Sequence, residues 1–482
     1  MFASESCKGG KRRVDAPRFL SPRRAPALYF VLLLSILAVL TPYCFAAKDR
    51  HYYIAAENVP WDFAPSGRDL IHGRTIPFPW RLQTRWNKTR YIEYTDATFS
   101  VRKPQPEWLG VLGPIIRAEV GDTVFVHFLN RTERPHSVHP HGLRYDKTNE
   151  GAHYLPAGEG GSIPPGGSFT YRWLADKGSG PGPDDPSSRV WWYHSHVEAE
   201  QEINAGLMGP IIVTAAGKAN EEGAPKDVDR EFVVLFMIFD QQNGADAGLF
   251  HAMNGYVFGN LPALVMKQGD RVRWYLLGMG NERDLHTPHW HGKVVKYGKR
   301  YTDVIELLPA SMVTVDMDAD NPGTWLFHCH VLDHMEAGMM ATYTVYQPTA
   351  SCPVQFTSAD FWNTSGKLKV TVKNDSRKAI QNVEVAFDHL MTPQYRRRPY
   401  VNEWKWTTPI GPGKAETFEM PGYPANLAGT IQAWVLLPKK ITYQDGSSWQ
   451  PGREDECFAM FWRDQEHPSL PVPPPLHKDL GE

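Results

Sequence analysis

The run GTWLFHCHVLDHMEAGMM (323–340) sets one cysteine between two histidines, followed by a further histidine and a methionine. The His-x-His spacing recurs four times, at His139/His141, His194/His196, His289/His291 and His328/His330. Successive strand residues point to opposite faces, so each pair presents both imidazoles on one face. A single pair would be weak evidence for a metal, since hydrogen-bonded surface histidines are common. Four pairs at matching points of a repeated unit imply a shared metal cluster of eight imidazoles, provided their strands face one another. Cys329, lying between His328 and His330, must then face the other way. The residues expected beside it are His286, His334 and Met339. A thiolate, two imidazoles and a weak thioether form the donor set of a blue-copper electron-transfer site. Zinc takes four strong ligands and has no use for an axial methionine. Taken alone, Cys329 reads as a small buried hydrophobe; its neighbours argue against that.

These residues need strands to hold them, and the chain supplies strands in duplicate. GPIIRAEVGDTVFVHF (113–128) resembles LPALVMKQGDRVRWYL (261–276): apolar strand, Gly-Asp turn, alternating strand. Each is followed by a histidine-rich run, HPHG at 139–142 and HWHG at 289–292. WWYHSHVEAEQEINAGLMGPIIV (191–213) likewise parallels TWLFHCHVLDHMEAGMMATYTV (324–345). The predicted fold is therefore all-β, with two cupredoxin-like Greek-key sandwiches at 48–216 and 229–348. The polar linker AGKANEEGAPKDVDR separates them. Ser195 stands where the second copy has Cys329, and no His-x3-His-x4-Met follows His196, so copy one cannot build the thiolate site. Residues 351–460 carry alternating strands without a histidine cluster and read as a C-terminal immunoglobulin-like sandwich. The tail from 461 to 482 is Pro-rich and reads as extended or disordered.

With 482 residues, the chain is long enough for two or three domains, each with its own core. The near-balance of 51 basic and 53 acidic residues, with no basic block beyond the N-terminus, argues against nucleic-acid binding. A basic stretch leads into ALYFVLLLSILAVL (27–40), an apolar run too short for a comfortable membrane span. Residues 1–46 therefore read as an export signal, either general secretory or twin-arginine, with an uncleaved anchor as the alternative. Removing it leaves Cys329, Cys352 and Cys457. Cys352 and Cys457 bracket the C-terminal segment and are expected to pair, which leaves Cys329 for the metal.

The segments HPHG, HSH, HTPHWHG and HCHVLDHMEAGM resemble the four copper-binding segments of the multicopper oxidases, in the family's order, across roughly 50–348. The stretches HSVHPHGLRYDKTNEGAHY, YHSHVEAEQEINAGLMGP and GNERDLHTPHWHG are more similar to the ceruloplasmin-like, ferroxidase-related branch than to fungal laccases. The resemblance implies four coppers per catalytic unit. His286, Cys329, His334 and Met339 would hold type 1 copper, and His139 and His289 type 2. His141, His194, His196, His291, His328 and His330 would hold the type 3 pair. By the same resemblance, electrons from a reducing substrate enter at type 1 copper and pass through Cys329 to His328 and His330, and dioxygen is reduced to water at the cluster. Tyr145 and Glu150 match a tyrosine and an acid that serve proton supply in two-domain laccases; each also reads as an ordinary core or surface residue.

Two-domain laccases form trimers, so a homotrimer is expected here, each cluster lying between domain 1 of one chain and domain 2 of the next. Glu282 and Asp333 flank type 1 ligands as acids do in ferroxidases, or they form a solvated rim. After EFVVLFMIFD the family has glutamate and then histidine, where this chain reads Gln241 and Asp246. The substrate therefore stays open between ferrous iron and a phenol or amine. A copper nitrite reductase or a non-catalytic copper-binding protein is the competing reading. Neither needs histidine on both sides of the cysteine in addition to HSH and HPHG.

Overall fold

In this computed structural model the described residues run from 47 to 462, except 157, 243, 263, 347–351, 361–366, 392–401, 422–430 and 451–458. The export signal, the Pro-rich tail and Cys457, and hence the expected Cys352–Cys457 pairing, fall outside them. No helix among the described residues is long and apolar enough to cross a membrane.

The first repeat runs through β1 (Asp49–Asp62), a small ribbon of β2 (Arg68–Asp69) and β3 (Arg74–Thr75), then β4 (Arg85–Tyr94), β5 (Ile116–Glu119) and β6 (Thr123–Asn130). It continues with β7 (His139–Pro140), β8 (Ser168–Leu174), β9 (Ser188–His194) and β10 (Met208–Thr214). These strands form two sheets, ordered β4-β1-β6-β8 and β5-β10-β9-β7. The second repeat comprises β11 (Arg230–Asp240), β12 (Leu249–Met253), β13 (Leu264–Lys267), β14 (Arg271–Gly278) and β15 (Pro288–Trp290). After it come β16 (Val295–Tyr297), β17 (Arg300–Thr302), β18 (Met312–Asp318), β19 (Gly323–Cys329) and β20 (Met340–Tyr346). Its sheets are ordered β12-β11-β14-β18-β16-β17 and β13-β20-β19-β15.

The duplication seen in sequence is a duplication of topology. β1 runs parallel to β6 as β11 does to β14, and β5 parallel to β10 as β13 does to β20. Alternation in β6 (TVFVHFLN) turns Val124, Val126 and Phe128 inward, where they meet Ile116, Tyr193 and Ile211 of the opposing sheet. The second repeat encloses Phe232, Trp274, Phe327 and Tyr343 in the same way.

A third core joins the repeats. Val190 and Trp192 of β9 and Met208 and Ile212 of β10 pack against Val233, Leu235 and Phe239 of β11 and Tyr275 and Leu277 of β14. Every residue of β10 is buried, as are eight consecutive residues of β11. Strands covered on both faces read as continuous apolar runs. The sequence expectation of sandwiches with separate cores holds for each interior but misses this shared layer.

Beyond the repeats, a three-stranded sheet (Val354–Asp360, Lys367–Asn374, Ala415–Pro421) and a five-stranded sheet built around Ile380–Met391 and Ile431–Tyr443 contribute to one core. Val370, Val372, Val385, Trp406 and Leu436 belong to that core. The C-terminal segment is thus a β-sandwich as expected.

Candidate metal centre

β19 ends at Cys329, and its alternation works as the sequence implies. Cys329 and Phe327 enter the apolar core of the second repeat, while His328 pairs across the sheet with His289. On the core side, Cys329 Sγ lies 3.9 Å from His286 Nδ1 and 3.8 Å from His334 Nδ1, and the two Nδ1 atoms are 3.2 Å apart. All three side chains are buried. Met339 is fully buried beside them, its carbonyl accepting from the Cys329 N–H (3.1 Å) and its N–H donating to the His334 carbonyl (3.0 Å).

The His286 ring is held from behind. Its Nε2–H donates to Asp284 Oδ1 (3.1 Å), which leaves the Nδ1 lone pair directed at the sulfur. The Asp284 carboxylate is 0% exposed and also accepts from the N–H of Ile238 (2.7 Å) and of Asn281 (2.9 Å). Burial pushes the Cys329 thiol up, against the opposing pull of the Thr287 N–H on the sulfur. A thiolate here therefore depends on a cation held jointly with the two imidazoles. One soft sulfur and two imidazoles, with Met339 buried in the same core, fit copper.

The eight remaining histidines fall into two quartets. β7 and β9 place His139 opposite His194, and ring contacts of 5.2–5.6 Å join His139, His141, His194 and His196. β15 and β19 place His289 opposite His328, and contacts of 4.9–5.5 Å join His289, His291, His328 and His330. Among the described residues no ring contact links the two quartets, which form separate candidate metal groups. Each quartet sits at the end of its own sandwich, and the shared core joins the repeats through sheet faces.

Within each quartet two Nδ1 atoms are tied back to carbonyls. His139 donates to Glu150 (2.6 Å), His194 to Ser195 (2.8 Å), His289 to Asp303 (2.9 Å) and His328 to Cys329 (2.8 Å). Those bonds fix the tautomer and leave Nε2 for a metal. Nε2 of His141 meets Nε2 of His194 at 3.1 Å, as does His291 with His328. Burial lowers His141 and His328 to about 4 and His194 to about 3, so these rings are neutral ligands at pH 7. The glycine after each HPH or HWH run has a structural cause. Gly142 and Gly292 adopt φ of 73° and 72°, and a Cβ there would strike the Trp191 and Trp325 rings at 2.0 and 2.8 Å. The second quartet stays open: His291 and His330 are exposed, and His289 and His291 line a depression with Lys293, Asp303 and Asp320.

The remaining expected residues lie around these centres. The Tyr145 ring is 5.9 Å from that of His139, and burial raises its phenol. The Glu150 carboxylate is bound by Lys147 and by Tyr154 Oη (2.8 Å), and its direct link to His139 is the backbone carbonyl. Glu282 and Asp333 are exposed, and among the described residues their carboxylates have no hydrogen-bond or ion-pair partner. Gln241 is half-buried and Asp246 exposed on the loop that leads into β12.

That strand supplies a residue the sequence reading missed. His251, paired with Ile238, brings its ring to 5.0 Å from that of His334, and its buried Nδ1 has no partner. Burial and the neighbouring His334 and His286 push it down to about 4, against Asp284 and Asp333. An isolated histidine in LFHAMNG gives no local signal; Asp284 gave one only through its position two residues before His286.

Residues 109–218 and 234–349 each match a family model described as multicopper oxidase. The chain is 37% identical over 348 residues to hephaestin of Mus musculus, covering 63% of this chain and 30% of that protein. Against ferroxidase HEPHL1 of Homo sapiens it is 37% identical over 371 residues, 67% of this chain and 31% of that protein. Against ceruloplasmin of Rattus norvegicus it is 36% identical over 352 residues, 65% and 33%. The chain spans about a third of the length of these relatives. With its thiolate–imidazole site, its paired imidazole quartets and both matched domains, this chain belongs to the multicopper oxidase family, on its ceruloplasmin-like side, and copper is the metal its ligands serve.

Proposed function

We propose that the chain is a ferroxidase-like oxidase that couples one-electron oxidation of ferrous iron to the reduction of dioxygen to water. Copper bound at Cys329 would accept single electrons, and copper held by the quartets would carry out the four-electron chemistry. The observation that carries this reading is the juxtaposition at Cys329. Its sulfur faces two imidazole nitrogens, and its own backbone neighbours, His328 and His330, belong to a quartet. The covalent chain is therefore the conductor between the two centres. His286, Cys329, His334 and Met339 are assigned to type 1 copper and the quartets to types 2 and 3. Tyr145 is assigned to proton delivery at His139, with Glu150 behind it.

Support for iron over a phenol comes from the outer side of the mononuclear site. Two unpaired carboxylates, Glu282 and Asp333, flank its ligands, and the unpartnered His251 stands against His334. Hard oxygens favour ferric over ferrous iron and so help drive the electron inward. A phenol would want an apolar slot instead.

The same reading makes the enzyme a homotrimer in which the first-repeat quartet of one chain closes on the second-repeat quartet of the next. Exposed apolar side chains support it: Tyr154 (51%) and Leu155 (93%) follow His153 near the first quartet, and Val294 (48%) follows His291 at the second. The layout is an exported chain with its leader removed after residue 46 and repeats at 48–216 and 229–348. An immunoglobulin-like sandwich at 351–460 follows, stapled by Cys352 and Cys457.

Oxygen uptake by the copper-loaded protein, with ferrous iron and with a phenol side by side, tests the substrate. Asp333→Ala and His251→Ala should slow iron oxidation at least about tenfold and spare the phenol. If both donors respond equally, these residues do not bind iron. An active, copper-replete monomer in sedimentation would refute the shared cluster.

A further inference from the structure

The first repeat contains a second set of four residues in the places of the mononuclear site, and backbone hydrogen bonds fix the correspondence. The His136 N–H donates to the Ile163 carbonyl (3.1 Å) as that of His286 does to Leu307 (2.9 Å). The Ser195 N–H donates to Leu207 (3.0 Å) as that of Cys329 does to Met339 (3.1 Å). The Leu207 N–H donates to Glu202 (3.0 Å) as that of Met339 does to His334 (3.0 Å). The cross-strand pair His139–His194 likewise repeats as His289–His328. His136, Ser195, Glu202 and Leu207 thus stand for His286, Cys329, His334 and Met339. All four are buried.

The sulfur donors are gone, and of the four positions only that of Met339, taken by Leu207, is filled with hydrocarbon. His136 Nδ1 and Glu202 Oε1 meet directly at 2.6 Å, where the second repeat keeps two nitrogens 3.2 Å apart facing a sulfur. The two groups hydrogen-bond to each other directly, and among the described residues they belong to no cluster of three metal-ligating groups. Glu202 Oε2 accepts from the N–H of Val197 (2.9 Å) and of Glu198 (2.8 Å), the two residues that follow His196. Ser195 Oγ accepts from the Ser137 N–H (3.0 Å), and Ser137 Oγ accepts from the His196 N–H (3.0 Å). The bonds therefore run from the segment that carries His139 and His141 to the turn that carries His194 and His196. A buried acid–imidazole pair adds less stability than well-packed hydrocarbon of the same volume, so its value lies in the geometry it imposes.

We propose that the His136–Glu202 pair is the first repeat's metal-free substitute for a mononuclear copper, and that Glu202 is a positioning residue which holds the first imidazole quartet in ligand geometry. This rests on the reading of that quartet as half of the copper cluster.

The test uses the full-length protein, with copper per chain, the affinity of the quartet copper and the thiolate–copper absorption as readouts. E202A should weaken quartet copper about 10–100-fold, the usual cost of losing a group that orients a metal ligand. The thiolate–copper absorption from Cys329 should stay unchanged, and E202Q, which keeps an acceptor for Val197 and Glu198, should remain close to wild type. Quartet copper held as tightly in E202A as in wild type would overturn the positioning role. A wild type that takes up no quartet copper would instead refute the cluster reading beneath it. Where E202A does not fold, the triple variant S195C/E202H/L207M decides. One extra copper per chain and a two-fold thiolate–copper absorption are expected; a folded triple variant with the wild-type copper count and absorption overturns the correspondence.

Discussion

Asp284→Asn perturbs one fully buried carboxylate and nothing else in the outline of the site. The native carboxylate accepts three N–H bonds, from His286 Nε2, Ile238 and Asn281. The amide keeps the shape but offers one oxygen. Placed toward Ile238 and His286, it turns its NH2 against the Asn281 N–H and strands one donor. Flipped, it strands the Ile238 N–H and faces Nε2 with a donor, which drives the proton of His286 to Nδ1 and blocks the lone pair aimed at Cys329. The first orientation costs about 1–3 kcal/mol of stability for the unpaired buried group. The weaker orienting bond, now neutral, costs about 10–100-fold in copper affinity, or about 1.4–2.8 kcal/mol. Denaturant unfolding of the copper-free protein and competition with a chelator, followed by the thiolate–copper absorption, measure the two separately. Copper affinity within two-fold of wild type would refute the reasoning, because it would mean the Asp284–His286 bond does not set the ring.

Cys329→Ser should abolish the thiolate–copper absorption and remove one copper per chain while leaving the quartet copper in place; loss of all copper would show that the centres are not separable. Leu235→Ala, in the layer between the repeats, should cost about 2–5 kcal/mol. Both repeats should unfold in one transition; a two-step unfolding profile would show that the layer does not couple them. The copper-free protein should lose stability on acidification. His194 and His328 are held at about 3 and about 4, below their ordinary 6.5, so they stay neutral in the fold while the unfolded chain takes up protons. Stability is then full above about pH 6.5 and falls toward pH 4 by about 1.4 kcal/mol per pH unit for each ring. Urea midpoints at pH 7 and pH 5 check this, and equal midpoints would refute it. Leu155→Asp should weaken self-association in sedimentation without changing the melting of the chain; unchanged association would remove Leu155 from the interface.

The sequence by itself determined what depends on local period. In an extended strand i and i+2 share a face, so His328 and His330 had to separate from Cys329 whatever the rest of the chain did. Gly-Asp turns and HG runs in the same order revealed the duplication, and Ser195 marked the copy without a thiolate. Only the tertiary structure decided how those faces meet. β10 and β11 are covered on both sides, so their uniform apolar runs carried no period from which to read the shared layer. His251 reaches His334, and Glu202 reaches His136, from elements distant in sequence. Asp284 becomes a buried anchor only because three N–H groups converge on it. Periodicity fixes the face of a residue but not the partner across from it, and in this chain the chemistry of each centre is set by that partner.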